Sequence, residues 1–320
     1  MSIFLYILSH SILPIFLLIL LGFVLGKKFA LDIFSLSKLI FYLFSPAFIF
    51  VNLYSTPLQL DMLYVFICAL LLLFSNDLIG RLIARLRGYD PGLTNAFRNS
   101  VMFNNSGNIG VSLITLVFTS APFVIDGKTP YLQTAITAQI IIMVLQSISV
   151  NTLGFYNAGR AKLDARHALL QVLTMPSIYA IPGALILKQT WPDLPEFPLW
   201  PALQYLKNGM VPMTLLTLGV QLSQTRFDFH NVEVYLSASA KLLIGPLLAM
   251  LFIHLFGFTG AVAQTILIAH SVPTAVNTAL IAVECDSCQD FASQAVMLST
   301  LCSAATLTFA IYAARALYPV

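Results

Sequence analysis

The stretch NNSGNIGV, residues 104–111, gathers polar groups where few are expected, between the apolar runs SVMF and SLITLVF. Asn104, Asn105 and Asn108 carry carboxamides that can donate to an anion or accept from a cation-bound water. Gly107 and Gly110 permit backbone angles that other residues resist, so a helix is expected to break here. Inside a bilayer such a break survives only where the freed N–H and C=O groups meet protein, ions or water. It also creates a half-helix N-terminus, whose free N–H donors and partial positive charge attract anions.

A second stretch matches the first. LFSPAFIFVNLYST (43–56) aligns with GMVPMTLLTLGVQL (209–222) when Pro46 is laid on Pro212, an offset of 166 residues. The same offset lays FNNSGNIGV on AHSVPTAVN and brings Gly107 onto Pro273, which has no N–H to continue a helix. His270 precedes this second interruption and Asn277 follows it. The candidate substrate-binding set is therefore Asn104, Asn105, Asn108, Gly107, Gly110, Pro273, Asn277 and His270, and the expected ligand is a small organic anion. The alternative for the amides is hydrogen bonding between packed helices. His270 could titrate and couple transport to protons, but a neutral hydrogen-bonded ring is the preferred reading.

Composition says what must hold these residues. The 320 residues are 58% hydrophobic and 9% charged, against roughly 25% charged in soluble domains. Lipid is the solvent for most of the chain, and a net charge of +3 gives no reason to expect nucleic acid. Apolar stretches of about 20 residues predict ten transmembrane helices, at 3–26, 32–54, 62–84, 93–119, 130–154, 168–188, 200–222, 234–256, 260–283 and 290–316. At the N-terminus the basic pair Lys27 and Lys28 follows the apolar run, so helix 1 is read as a retained span and not as a signal peptide. Lys27, Lys28, Lys38, Arg81, Arg85, Arg87, Arg98, Arg160, Lys162, Arg166 and Arg226 fall on one side. Lys128, Lys188, Lys207 and Arg315 fall on the other. The larger group is expected in the cytoplasm, which puts both termini on the extracytoplasmic side. Five helices separate the two breaks, so the halves 1–154 and 168–316 are expected to be inverted repeats.

Three charged residues lie within spans. Asp77 and Arg81 are four apart on helix 3, so they share a face. A carboxylate at that depth either faces a cavity as a proton relay or forms a structural ion pair, and both readings stand. Lys241 in helix 8 could snorkel to the interface or hold an anion in the cavity, with snorkelling slightly preferred. Gly22-x-x-x-Gly26 in helix 1 suits close helix packing. Cys285-x-x-Cys288 lacks the further ligands a zinc site needs, so no metal site is expected. A rival function is an intramembrane hydrolase with Ser106 as nucleophile and His270 as base, since both lie in the matched breaks.

The stretches NNSGNIGVSL, VPMTLLTLGVQL, SVPTAVNTALIAVEC and SQAVMLSTL, in that order along the chain, resemble the auxin efflux carrier family. That family includes plant PIN carriers and many bacterial organic-anion transporters. The resemblance implies a bile acid sodium symporter-like fold of two inverted five-helix repeats, with broken helices 4 and 9 crossing. It implies a scaffold of helices 1, 2, 6 and 7 through which a homodimer forms. Helices 3–5 and 8–10 would then move as an elevator-like transport domain. By the same resemblance Asn105 matches the asparagine that contacts a substrate carboxylate, Asp77 and Arg81 match an aspartate–lysine pair, and Pro273 matches the crossover proline. Ser112 stands where the family usually has proline, so the first break is expected to rest on Gly107 and Gly110. The short 155–167 connection favours a bacterial-type member in the plasma (bacterial inner) membrane. No organic cofactor is implied, and a coupling ion would be H+ or Na+.

Overall fold

Helices account for the regular structure of the described residues. A computed structural model describes residues 3–55, 61–158, 173–225 and 230–320. The basic residues Arg160, Lys162, Arg166 and Arg226 lie outside that set, as do the first residues of the span expected at 168–188 and most of the 155–167 connection. Among the described residues, six helices are long and apolar enough to cross a membrane. They are α1 (Phe4–Lys28), α2 (Ile33–Ser55), α3 (Met62–Arg87), α6 (Leu132–Asn157), α9 (Val232–Phe256) and α12 (Gln289–Leu317). Between them lie α4 (Pro91–Met102), α5 (Ser106–Phe118), α7 (Pro176–Thr190), α8 (Trp200–Gln224), α10 (Gly260–Ser271) and α11 (Asn277–Glu284). Among the described residues only two isolated β-bridges interrupt this helical pattern, Asn104 with Thr274 and Ile125 with Lys128.

The surface is apolar in register with the helices. Leu243, Leu247, Leu251 and Leu255, a single i, i+4 row on α9, are all more than half exposed. Leu13, Leu17, Leu20 and Val24 do the same on α1. A row of leucines facing outward suits a lipid solvent, whereas the polar side chains are turned inward. Ends are capped by local chemistry: Asp32 accepts from the N–H groups of Phe34 and Ser35 at 3.1 Å, and Asp90 accepts from Leu93 N–H at 3.0 Å.

The two glycines of α1 pack inside the chain. A methyl group on Gly22 would overlap the carbonyl oxygen of Leu216, and one on Gly219 would overlap that of Ile19. The α1 and α8 backbones therefore touch, which is the close approach that small residues at four-residue spacing permit.

Several helices contain one wide, π-type turn. These lie at Leu8–Ile12 in α1, Ile40–Phe44 in α2, Ser106–Gly110 in α5, Val150–Gly154 in α6 and Ala240–Ile244 in α9. Three of them end two residues before a proline, namely Pro14, Pro46 and Pro246. A proline ring clashes with the carbonyl four residues earlier and leaves it without its N–H, and widening the turn relieves both. Four of the five border the site described next.

Candidate functional site

Both expected breaks are present, and they lie against each other. α4 stops at Met102, Phe103 is extended (φ −99°, ψ 128°), Asn105 leaves helical geometry (φ −73°, ψ 57°), and α5 begins at Ser106. On the other strand α10 stops at Ser271 and Val272 is extended (φ −69°, ψ 155°), as a residue before proline prefers. The two extended pieces pair. Asn105 N–H donates to Pro273 O at 2.8 Å, and Ala275 N–H donates to Phe103 O at 3.0 Å.

The first break does not rest on its glycines, contrary to expectation. It falls at Phe103–Asn105, ahead of Gly107 and Gly110, and neither glycine has a positive φ. Gly110 serves contact instead. A methyl group there would collide with the Gln139 amide, which donates 2.8 Å to Ser106 O. Ser112, in the place of the family proline, donates its hydroxyl to Asn108 O at 2.6 Å inside α5.

The exposed ends of α4 are matched one by one. Thr274 Oγ1 donates to Ser100 O at 2.8 Å, and Lys241 Nζ donates to Val101 O at 2.8 Å. Lys241 also donates to Asn104 Oδ1. This corrects the snorkelling preference: the Lys241 side chain is 1% exposed and turns into the protein. A cation at the carbonyl end of α4 is favoured by the helix dipole, and that end draws the ammonium inward.

A cavity of about 320 Å³ opens beside the crossing. Asn104, Asn105, Ser106, Gly107, Asn108 and Asn277 line it, with Gln146 and Asn151 from α6 and Ile40–Tyr42 from α2 opposite. The half-helix starts at Ser106 and Asn277 both border it. Gly110, Pro273 and His270 are not in its wall. His270 is buried with Nδ1 2.9 Å from Ile266 O, and Pro273 acts through its carbonyl.

The cavity wall has donors to spare. Asn104 Nδ2, Asn105 Nδ2 and Gln146 Nε2 are buried without a partner. Two of these amides have their orientation fixed by what they touch. Lys241 can only donate, so the Asn104 oxygen must face it. Gln146 Oε1 accepts from Asn104 N–H at 3.2 Å, which leaves its nitrogen free to donate. No Asp, Glu, Lys, Arg or His is among the described lining residues. Among the described residues, the charge that reaches the wall is the Lys241 ammonium, through Asn104. The two helix starts at the wall and the buried cation behind Asn104 make this region electropositive, which suits an anion better than a metal cation.

Asp77 lies apart from this cavity. Its two oxygens are each held at 2.7 Å, one by Arg81 Nε and the other by Arg98 Nε. The second arginine comes from α4, so the carboxylate ties α3 to α4 as a structural ion pair. The same end is closed by Arg87 and Glu233 at 2.5 Å, joined by the Tyr89 hydroxyl on the same carboxylate. The hydrolase reading fails on geometry: Ser106 Oγ lies 3.4 Å from Asn104 O and forms no hydrogen bond with the His270 ring.

Gln139 and Gln146 did not enter the sequence reading, although their seven-residue spacing puts both on one face of an apolar helix. Arg98 as a second partner of Asp77, 21 residues away, had no local signal.

Comparison with known proteins supplies the family. The family model described as "Membrane transport protein" matches residues 7–171 and 161–311. An uncharacterized transporter of Methanothermobacter thermautotrophicus is 25% identical over 305 residues, covering 93% of this chain and 96% of that protein. A provisionally named malonate transporter of Rhizobium meliloti is 31% identical over 122 residues, 38% of each chain. The chain belongs to the membrane transport protein family, the auxin efflux carrier family that its motifs resemble, and it is a multi-pass membrane transporter rather than an enzyme.

Proposed function

We propose that the protein is a secondary carrier for a small organic anion, held at the crossing of the two broken helices. The observation that carries this reading is the set of three unpartnered amide donors, on Asn104, Asn105 and Gln146, in a wall whose described residues include no acidic group. A cavity of about 320 Å³ is at the small end of ligand sites, which suits a short carboxylate or dicarboxylate. The malonate relative supports the dicarboxylate, over the 38% of the chain it matches. Asn105 takes the carboxylate, Asn104 and Gln146 assist, and Asn108 and Asn277 line the path. Lys241 lends positive charge from behind Asn104. Gly107 lines the cavity, Gly110 admits Gln139, Pro273 and His270 belong to the second break, and Asp77 with Arg81 braces the moving part.

In this reading the ten spans form two inverted five-helix repeats, 1–154 and 168–316. Helices 3–5 and 8–10 carry the site past a scaffold of helices 1, 2, 6 and 7, through which two copies pair. The protein sits in the plasma (bacterial inner) membrane with both termini outside. The cavity then lies in the cytoplasmic half, because its walls come from the Lys38 end of α2 and the Asn157 end of α6. Lys241 already occupies two oxygens near the crossing with its own positive charge. This favours proton coupling, or movement driven by potential alone, over sodium.

The test is uptake of labelled short carboxylates into proteoliposomes. Wild-type protein should show saturable uptake, and Asn105→Ala should lose it, since a hydrogen bond to a charged group contributes about 1.5–3 kcal/mol. Wild-type uptake by a folded Asn105→Ala protein would remove Asn105 from the site.

A further inference from the structure

A second cavity, about 180 Å³, lies at the Arg315 end of α12, away from the crossing. Its wall includes Phe123 and Tyr131 from the α5–α6 connection and its border, Gln264 from α10, and Arg315 with Pro319 and Val320 beyond it. Arg315 is a bare donor here. Its guanidinium carbon lies 5.0 Å from the Phe123 ring centre, and its Nε and Nη2 atoms are buried without a partner. None of the ion pairs among the described residues includes it. Gln264 Nε2 donates to Tyr318 O at 2.7 Å, which fixes its amide and leaves Oε1 buried and unpartnered on the same cavity.

The identity of the two nitrogens decides what fits. Nε–H and one Nη2–H point the same way and form a fork that matches two oxygens of a single carboxylate or phosphate. A buried guanidinium with that fork unmet is costly, and an incoming oxyanion removes the cost. Phe123 and Tyr131 offer flat apolar surface to the rest of the ligand. Gln264 Oε1 can accept from a hydroxyl or N–H beside the anionic group. We propose that this cavity is a second anion site, taking a small oxyanion head group by a two-pronged contact with Arg315. Both a free carboxylate and the phosphodiester of a lipid have that chemistry. The proposal does not depend on the crossing site.

The test uses the full chain in nanodiscs, with benzoate as the free probe and phosphatidylglycerol against phosphatidylcholine as the lipid probe. Asn105→Ala is the background, so that the crossing site does not obscure the result. For a free carboxylate, benzoate titrated by calorimetry binds, and Arg315→Gln weakens it at least about tenfold. For a lipid, native mass spectrometry finds phosphatidylglycerol retained by the parent and lost from Arg315→Gln. Arg315→Lys keeps the charge and removes the fork, so it should bind weakly in either case, and it replaces Arg315→Gln if that protein does not fold. The proposal is overturned if folded arginine variants retain both probes as the parent does, or if the parent binds neither.

Discussion

The two helix breaks are built from similar residues and do different work. The break between α4 and α5 leaves amide nitrogens unmatched on residues that line a cavity. The break between α10 and α11 has its groups engaged in holding the first. Pro273 O takes the Asn105 N–H, Thr274 donates to Ser100 O, and Ala275 N–H goes to Phe103 O. Thr274 N–H is itself anchored on Ser299 Oγ of α12 at 3.2 Å. One break presents and the other supports. Symmetry in sequence therefore does not mean symmetry of role: the segment with the carboxamides lines the cavity proposed to take the ligand, and the one with proline and threonine supplies the frame.

Lys241 gives the sharpest way to break this contrast. A buried ammonium without a carboxylate partner costs stability, while its loss strands Val101 O and Asn104 Oδ1. These effects oppose each other, so Lys241→Met should fold with a thermal midpoint near that of wild type. Anion binding should suffer far more. An anion on Asn104 Nδ2 would sit about 7 Å from the ammonium, a separation worth about 2 kcal/mol at an effective dielectric of ~20. Calorimetry on the variant should show affinity reduced roughly thirtyfold. Unchanged affinity would make Lys241 a structural cap alone.

Thr274→Val probes the supporting side with a smaller effect. It removes the donor to Ser100 O and preserves shape, so stability should fall by about 1 kcal/mol, read as a lower thermal midpoint. Anion affinity should change less than threefold. A loss of affinity as large as that of Lys241→Met would mean the two breaks share the ligand.

The breaks themselves were legible because helix interruption is local. Asn, Gly and Pro in an apolar run announce it, and Val272 before Pro273 explains the second break outright. The approximate helix ends were legible for the same reason, from the polar and Pro/Gly breaks between apolar runs, whereas the caps at Asp32 and Asp90 emerge only in the structure. What the chain cannot announce locally is a partner far along it. Lys241 reads as a lone lysine near one end of an apolar helix, because nothing beside it reveals the carbonyls of α4 140 residues away. Asp77 reads as half of an i, i+4 pair, and its second clamp on α4 turns an open question into an ion pair. Gly110 reads as a hinge by type, but its lack of a side chain admits Gln139.

The central claim is that the wall around Asn105 reads negative charge through donors. Its most direct test is calorimetric titration of wild-type protein with a short carboxylate and with its uncharged amide analogue, matched in size. The account predicts that the carboxylate binds and the amide does not compete for its place. Equal binding of the two would contradict it, because a site that prefers shape to charge does not need the unmatched amides of Asn104, Asn105 and Gln146.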